Sequence, residues 1–178
     1  MSLEGVVQEA SVWVLVDLPV TDSWELLQDF SLAHHYVPGL TGTQIVSTQK
    51  TGEGAHRRVY SGKRFLEETI TRWHPGAGFV IRLHKGERPM PPFRSADFEY
   101  AINASGSRQT RVDLSMRIIM PGGAAGRFVA AKLIMPVIRK NLTQVAAGLK
   151  HFYETGEPAG DEDRSRLAGA VRVAPAGG

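Results

Sequence analysis

The chain has 178 residues, with 21 Lys and Arg against 18 Asp and Glu, six His, no Cys and 42% hydrophobic residues. This length fits one globular domain with a single core, and the composition is too apolar for a chain that is disordered throughout. The lack of Cys excludes disulfides, thiolate catalysis, Cys-based zinc sites and iron–sulfur clusters. The net charge is only +3, and the basic residues are spread among the predicted strands, so we expect no nucleic-acid partner.

No segment of the sequence is typical of a membrane span. The longest apolar stretch, residues 12–20, is interrupted by Asp17 and Pro19 and falls far short of the roughly 20 residues that a span requires. Glu4 and Glu9 lie where a signal peptide avoids acidic residues. We therefore expect a cytoplasmic protein without a membrane span.

The first third of the chain predicts one strand and two short helices. Apolar residues alternate with other residues over positions 11–18, which is typical of a strand with one buried face. Pro19 ends this strand, and Thr21 or Asp22 is a suitable N-cap for a short helix. A second short helix is predicted over residues 32–37, before a Pro-Gly pair that breaks it.

The middle of the chain predicts six further strands separated by Gly-rich turns. They cover residues 43–48, 55–60, 64–73, 79–85, 95–103 and 111–120. The alternation of apolar and polar residues is most regular in the last two. A sheet with one apolar and one polar face is antiparallel and is covered on one side only.

A long amphipathic helix is predicted to cover that apolar face. Apolar residues recur at three- and four-residue steps from Ile134 to Phe152. Pro136 removes one backbone donor, so we expect a kink that lifts the first half of the helix and leaves space beneath it. Gly156 suits the end of the helix.

The last 22 residues differ in composition from the rest. Residues 157–178 are rich in Gly, Ala, Pro and charge, and their few apolar residues follow no sustained period. Such a segment cannot offset its loss of conformational entropy by burying apolar surface. We predict a folded domain over residues 1–156 and a flexible tail over 157–178.

The order of a strand, two short helices, a strand meander and a long helix resembles the START-like helix-grip (SRPBCC) superfamily, and within it the polyketide cyclase/dehydrase branch. The resemblance covers about residues 8–156. It is carried by residues 16–20 (VDLPV), 24–30 (WELLQDF), 68–76 (ETITRWHPG) and the helix end over 141–157.

The resemblance implies an α+β helix-grip fold, in which a curved antiparallel sheet of about seven strands surrounds the C-terminal helix. It also implies an apolar cavity between them and a hydrophobic small-molecule ligand. Members of the superfamily bind lipids, sterols, hormones or polyketides, and some catalyse cyclisation or dehydration. The fold by itself does not choose among these activities.

Glu68 is the most interesting candidate for chemistry. If Leu66 and Ile70 face the cavity, Glu68 does too, and a carboxylate there could act as a general acid or base. The favoured alternative is a structural ion pair with Arg58 or another strand arginine. The opposite register, with Glu67 facing inward, would exclude a role for Glu68 as a general acid or base in the cavity.

Three tyrosines offer hydroxyl groups to a ligand carbonyl: Tyr36, Tyr60 and Tyr100. The candidates for proton transfer and carbonyl polarisation are therefore Glu68, Arg58, Tyr60 and Tyr100, although a buried tyrosine hydroxyl more often has a backbone or water partner.

The candidate ligand-binding residues are those expected to line the cavity. They are Tyr36, Tyr60, Glu68, Trp73, Ile81, Phe98, Tyr100, Met116, Phe128 and Ile134. The Pro-rich connection at residues 86–92 is either a lid over this cavity or a plain crossover.

No metal site or cofactor is predicted. His34 and His35 are the only histidine pair, no third ligand is spaced with them, and neighbouring side chains on a helix point about 100° apart.

Four functions follow as hypotheses. The first is binding of a polyketide, lipid or related natural product, as a monomer or homodimer. The second is a cofactor-independent aromatase/cyclase or dehydratase. The third is a sequestering or self-resistance protein that shields its host from a toxic hydrophobic metabolite. The fourth is an interaction module that modulates another protein through an exposed apolar patch and has an empty pocket.

Overall fold

A large antiparallel sheet dominates the computed structural model, which describes residues 5–175. The described part contains nine strands: β1 (Val6–Val16), β2 (Gly42–Ile45), β3 (His56–Ser61), β4 (Arg64–His74), β5 (Gly78–Lys85), β6 (Arg88–Pro89), β7 (Ser95–Ala104), β8 (Thr110–Met120) and β9 (Arg172–Val173). Their spatial order is β2-β3-β4-β5-β7-β8-β1-β9, and β6 pairs with β5.

Helical segments follow β1 and β8. Helix α1 spans Val20–Gln28 and is followed by a 3₁₀ turn, Ala33–His35. Helix α2 (Gly123–Val129), a π-helical turn (Ala130–Ile134) and helix α3 (Met135–Thr155) form one continuous stretch. Helix α4 (Asp161–Leu167) and a short 3₁₀ turn come last. The predicted α+β helix-grip architecture is confirmed, with two very short strands beyond the seven expected.

The core lies between one face of the sheet and α3. On β1, Val12, Val14 and Val16 are buried while the residues between them are not, as period-two alternation requires. Leu142, Val145 and Leu149 provide the buried stripe of α3. Each such side chain contributes about 1.5–3 kcal/mol when fully buried, so this contact fixes α3 on the sheet.

The N-terminal elements differ in detail from their predicted bounds. Strand β1 begins at Val6, before the predicted start at residue 11, because its pairing with β8 extends from Val6–Met120 to Val16–Thr110. Helix α1 begins at Val20, so Pro19 takes the N-cap position that was predicted for Thr21 or Asp22.

The long helix is interrupted just before Pro136. In the π-helical turn, the Met135 N–H donates to the carbonyl of Ala130, five residues back. Proline disrupts the helix on its N-terminal side, because its ring displaces the carbonyl four residues earlier and it has no N–H to bond that carbonyl. The helix therefore has a widened turn over residues 130–134, whereas the helix residues that line the cavity, Asn141 and Val145, come after Pro136 and not from the first half that the kink was expected to lift.

Residues 157–175, for which the sequence predicts a flexible tail, contain regular secondary structure. Helix α4 packs against α3, and β9 pairs antiparallel with β1 at Val12 and Trp13. Val171 is buried in the main core and Arg164 is also buried. A few well-placed side chains hold this segment without an apolar period, which is why its composition was misleading. Residues 176–178 of the predicted tail lie outside the described residues.

No helix in the described part of the chain is long and apolar enough to cross a membrane.

Candidate functional site

A cavity of about 670 Å³ lies between the sheet and α3. Strands β3, β4, β5, β7 and β8 form its floor, and Asn141 and Val145 of α3 form one side. The floor side chains are mostly apolar: Val59, Leu66, Ile81, Leu83, Phe98 and Met116. A cavity of this size and character fits a hydrophobic molecule of drug-like dimensions.

One charged pair lies among the apolar walls. Arg57 on β3 is only 1% exposed, and Glu68 on β4 is buried and lines the cavity. The Nε and Nη2 atoms of Arg57 lie 2.6 Å and 2.5 Å from Oε2 of Glu68. Removing both charges from water is costly, and only close contact between them offsets that cost.

Arg57 is fixed by contacts on its other side as well. Its Nη1 donates to the carbonyl of Phe30, 2.7 Å away, and its guanidinium carbon lies 3.8 Å from the centre of the Phe30 ring. Burial is the largest single influence and lowers the pKa of Arg57, but Glu68, Tyr36 and Tyr100 together raise it by more, so the pKa lies above its ordinary value. Arg57 therefore acts as a permanent cation that orients Glu68.

Two buried tyrosines complete the polar group. Tyr100 lines the cavity, and the ring of Tyr36 packs edge-on against it with 6.5 Å between centroids. The Tyr36 and Tyr100 phenols and the Arg57 guanidinium lie close enough to influence one another electrostatically. Burial raises the pKa of both phenols, that of Tyr100 well above its ordinary value. Both phenols stay protonated at neutral pH, so each keeps a hydroxyl hydrogen.

The strand register brings Glu68 inward. Leu66 and Glu68 face the cavity and Ile70 is buried, which matches the first of the two predicted registers. Glu67 points to the opposite face, where Arg58 and His56 lie 3.3 Å and 3.4 Å away. The Glu68 carboxylate therefore satisfies two expectations that were posed as alternatives, since it faces the cavity and is also paired with a strand arginine.

The cavity rim is polar and basic. Ser61, Arg64, Lys85 and Asn141 border the opening. The Pro-rich connection contributes Met90 and Pro91 to the lining, although Arg88–Pro89 pairs with β5 as a short strand. This connection therefore forms part of the cavity wall.

The candidate residues fall into two groups. Glu68, Ile81, Phe98, Tyr100 and Met116 line the cavity. Tyr36 lies buried behind Tyr100.

The remaining candidates point elsewhere. Tyr60 and Arg58 lie on the outer face of β3, where the Tyr60 hydroxyl donates to Gln44. Trp73 packs against Trp24 and Phe79, behind the cavity-lining Tyr100, and does not itself line the cavity. Phe128 is 64% exposed, and Ile134 packs on the core without lining the cavity. These five were misplaced because a strand's register, a bulge near Trp73 and a π-turn each shift which face a residue occupies.

Sequence reasoning missed Arg57, although the sequence carried a signal for it. Val59 is the apolar residue of β3 and faces the cavity. Side chains alternate along a strand, so Arg57 must share that face, while Arg58 and Tyr60 must lie on the other. Because Val59 faces the cavity, the residue two positions earlier is the buried arginine, Arg57, and the adjacent Arg58 is the exposed one.

The histidine pair lies away from the cavity. His34 Nδ1 is 3.0 Å from the hydroxyl of Thr43, and the ring of His35 stacks on Phe152. Burial lowers the pKa of His34. Over residues 5–175, no three His, Asp or Glu side chains are grouped as a metal ion would require.

A second groove, of about 760 Å³, lies at the other edge of the sheet. It runs between the first half of β1, β9 and Arg139, and Gln8, Glu9 and Ser11 contribute to its lining. It contains no buried charged group, so the smaller cavity is the better candidate site.

The chain resembles solved structures of one fold at low sequence identity. An aromatase/cyclase (ZhuI) from Streptomyces sp. R1128 is 16% identical with a TM-score of 0.60, covering 86% of this chain and 100% of that one. Norcoclaurine synthase from Thalictrum flavum, in complex with dopamine and hydroxybenzaldehyde, is 14% identical with a TM-score of 0.64, covering 84% and 87%. The protein Ara h 8.0201 is 11% identical with a TM-score of 0.58, covering 81% and 98%. At these identities the similarity establishes the fold alone.

None of the curated proteins matches the sequence significantly. Residues 7–150 match the family described as "Polyketide cyclase / dehydrase and lipid transport". This match spans most of the chain and includes every strand that lines the cavity. The chain therefore belongs to the polyketide cyclase/dehydrase and lipid transport family.

Proposed function

We propose that the protein binds a hydrophobic, partly oxygenated small molecule, such as a polyketide or a lipid, in the cavity between the sheet and α3. The observation that carries this proposal is the combination of apolar walls with one polar group, formed by Glu68, Arg57 and Tyr100. Apolar walls supply the affinity, and a few convergent polar groups fix the orientation of a ligand.

The polar group suits an oxygenated end of the ligand. Both contacts between Arg57 and Glu68 use Oε2 of the carboxylate, so Oε1 is the oxygen that we assign to a ligand hydroxyl. The Tyr100 hydroxyl is the partner that we assign to a ligand carbonyl or hydroxyl. A ligand that lacked both groups would leave these polar atoms desolvated and unpaired, which is costly.

Native mass spectrometry of the protein purified from its own host tests the proposal. We expect a co-purified molecule in one-to-one ratio, apolar over most of its surface and with at least one oxygen. A protein that carries no such molecule, and that binds neither a panel of polyketides nor a panel of lipids added afterwards, would contradict it.

A second candidate function is catalysis of a cyclisation or dehydration on the bound molecule. It is favoured by the position of a carboxylate and a protonated phenol in one cavity, since these groups can accept a proton and polarise a carbonyl. A solved neighbour described as an aromatase/cyclase has the same fold. A sequestering protein would use the same cavity without turnover.

Tyr100→Phe separates catalysis from binding, because it removes one hydroxyl and leaves the ring. Tyr153→Phe is the matched control, since the Tyr153 hydroxyl is buried without a hydrogen-bond partner among the described residues. If the protein is an enzyme, the rate of turnover of the identified ligand should fall about 100-fold in Tyr100→Phe. The rate should be unchanged in Tyr153→Phe. Binding without turnover in the unmodified protein would identify sequestration instead.

A further inference from the structure

The first half of the long helical stretch presents an exposed apolar surface. Phe128, Leu133 and Val137 are 64%, 62% and 66% exposed. No residue of α2 is buried among the described residues. Large apolar side chains that remain grouped on a surface mark a site of interaction.

Basic residues flank this surface and acidic residues are missing from it. Arg127, Lys132, Arg139 and Lys140 are all exposed in the same helical stretch. The sequence contains no Asp or Glu between Asp113 and Glu154. Within residues 5–175, none of these four cations has an ion-pair partner. The stretch therefore carries an unneutralised positive charge beside exposed apolar side chains.

The exposed surface continues into the cavity. Val137, Asn141 and Val145 are spaced by four residues, so they share one side of α3. Asn141 and Val145 line the cavity, while Val137 is exposed one turn earlier. Arg64 and Lys85, both exposed, add positive charge at the cavity rim.

We propose that residues 127–140 dock this protein on the surface of an anionic lipid bilayer, with the cavity rim beside the membrane. Helices that lie in the membrane interface combine exposed Phe and Leu side chains with flanking Lys and Arg, which is the pattern seen here. Phe128, Leu133 and Val137 enter the acyl boundary, and the four basic residues contact lipid phosphates. A hydrophobic ligand can then pass between the bilayer and the cavity without crossing water.

Two features favour a bilayer over a second copy of this chain. Residues 127–140 include four basic and no acidic residues, so two copies placed face to face along this stretch would bring like charges together. An anionic bilayer neutralises these charges without requiring shape complementarity. The inference does not depend on the proposed function, because docking on lipid can occur whatever the cavity holds.

Co-sedimentation with vesicles tests the inference. The full chain is mixed with vesicles of phosphatidylcholine alone, or of phosphatidylcholine with phosphatidylserine. We expect strong binding only to the anionic vesicles, and we expect that binding to fall as salt is raised. Because each basic residue near an anionic surface strengthens binding about five-fold, Lys132→Ala combined with Lys140→Ala should weaken partitioning about 25-fold.

The apolar contribution is tested with Leu133→Ser combined with Val137→Ser, which should weaken binding about tenfold or more. The matched controls lie elsewhere on the surface. Val173→Ser replaces a 62% exposed valine of β9, and Lys50→Ala combined with Arg108→Ala removes two exposed basic residues. Both controls should bind vesicles like the unmodified chain.

The inference is overturned if the unmodified chain does not bind anionic vesicles, or if the helix variants and the controls bind equally. A dimer of the unmodified chain that binds no vesicles would also overturn it, if sedimentation velocity shows that Leu133→Ser combined with Val137→Ser dissociates this dimer. The surface would then contact a second copy of the chain. Circular dichroism of each variant checks that the fold is kept. Failure here leaves ligand binding in the cavity intact, since that is measured without vesicles.

Discussion

Arg57 and Glu68 are the residues on which the character of the cavity depends. They carry opposite charges in a place where nearly all other side chains are apolar. A buried ion pair adds little net stability relative to an apolar pair, because desolvation offsets attraction. Its presence is therefore better explained by what it offers a ligand than by what it gives the fold.

Breaking this pair from one side should be strongly destabilising. In Arg57→Leu the Glu68 carboxylate is left buried without its cation, so we expect the free energy of unfolding to fall by about 3–5 kcal/mol. Urea unfolding measures it. Arg57→Leu combined with Glu68→Leu should recover much of the loss, because no unpaired charge remains.

Arg58→Ala is the matched control, since Arg58 is the neighbouring arginine and makes a more exposed ion pair, at 3.3 Å, with Glu67. We expect it to cost less than about 1 kcal/mol. Equal losses for Arg57→Leu and Arg58→Ala would contradict the assignment of Arg57 as the buried partner.

Glu67 should make the stability of the protein depend on pH. The Gly86 N–H donates to its carboxylate and lowers the pKa of Glu67 below its ordinary value, despite the opposing effect of burial. A carboxyl whose pKa is lower in the folded state stabilises the protein above its unfolded-state pKa, and this contribution is lost as the pH falls through the folded-state pKa.

The expected result is that Glu67→Gln lowers the free energy of unfolding at neutral pH and that the difference shrinks in acid. Urea unfolding at neutral and at acidic pH measures this difference. Glu99→Gln is the control, because Glu99 on β7 is exposed. If Glu67→Gln lowered the free energy of unfolding by the same amount at neutral and at acidic pH, the charge of the Glu67 carboxylate would not be the source of its stabilising effect.

At the scale of elements, α3 approaches the 3₁₀ turn very closely. A Cβ on Gly148 would collide with the carbonyl oxygen of Tyr36 and would also lie 3.2 Å from Nε of the buried Arg164. This glycine therefore lets α3 pack on the segment that places Tyr36 behind Tyr100.

Gly148→Ala should destabilise the protein although alanine favours helices. The helix propensity gain is about 1 kcal/mol, but relief of the collision requires backbone movement, so we expect a net loss of about 1–3 kcal/mol. Gly169→Ala is the control, because a Cβ there meets no atom within 4 Å. We expect Gly148→Ala to lower the thermal unfolding temperature below that of the unmodified chain and Gly169→Ala not to lower it. If both variants unfolded at or above the temperature of the unmodified chain, the close approach at Gly148 would be contradicted.

The C-terminal segment shows why composition misled the sequence analysis. Val171, which directly precedes β9, is 9% exposed, whereas Val173, within β9, is 62% exposed. A segment of so few apolar residues has no period to detect, yet one buried valine and the pairing with β1 attach it to the domain.

Val171→Ala should lower the free energy of unfolding by about 2 kcal/mol, because it removes two buried carbon groups. Val173→Ala should change it by less than about 0.5 kcal/mol. Chemical denaturation distinguishes the two. If neither substitution has an effect, the segment is a tail as its composition indicated.

At the scale of the whole molecule, the fold was more predictable than the site. Alternation in β7 and β8 and the apolar period of α3 directly record which faces are buried, so the helix-grip architecture followed from the sequence. The site depends on which residues of each strand face the cavity and on local changes of register in the strands and helices. Val59 decides that Arg57 faces inward, and Phe128, which precedes the π-turn, is exposed and does not line the cavity.

The central claim is that the space beneath α3 is a ligand site. It is tested most directly by titrating the protein with a hydrophobic fluorescent probe, anilinonaphthalene sulfonate, with and without a substitution that fills the cavity. Val145→Phe places a larger side chain in the cavity wall, whereas Val137→Phe makes the same change two turns earlier on the same helix, outside the cavity.

We expect one probe site, at which Val145→Phe weakens binding about tenfold or more, or about 1.4 kcal/mol, and Val137→Phe leaves binding unchanged. Equal binding by all three proteins, or a loss caused by Val137→Phe alone, would contradict it.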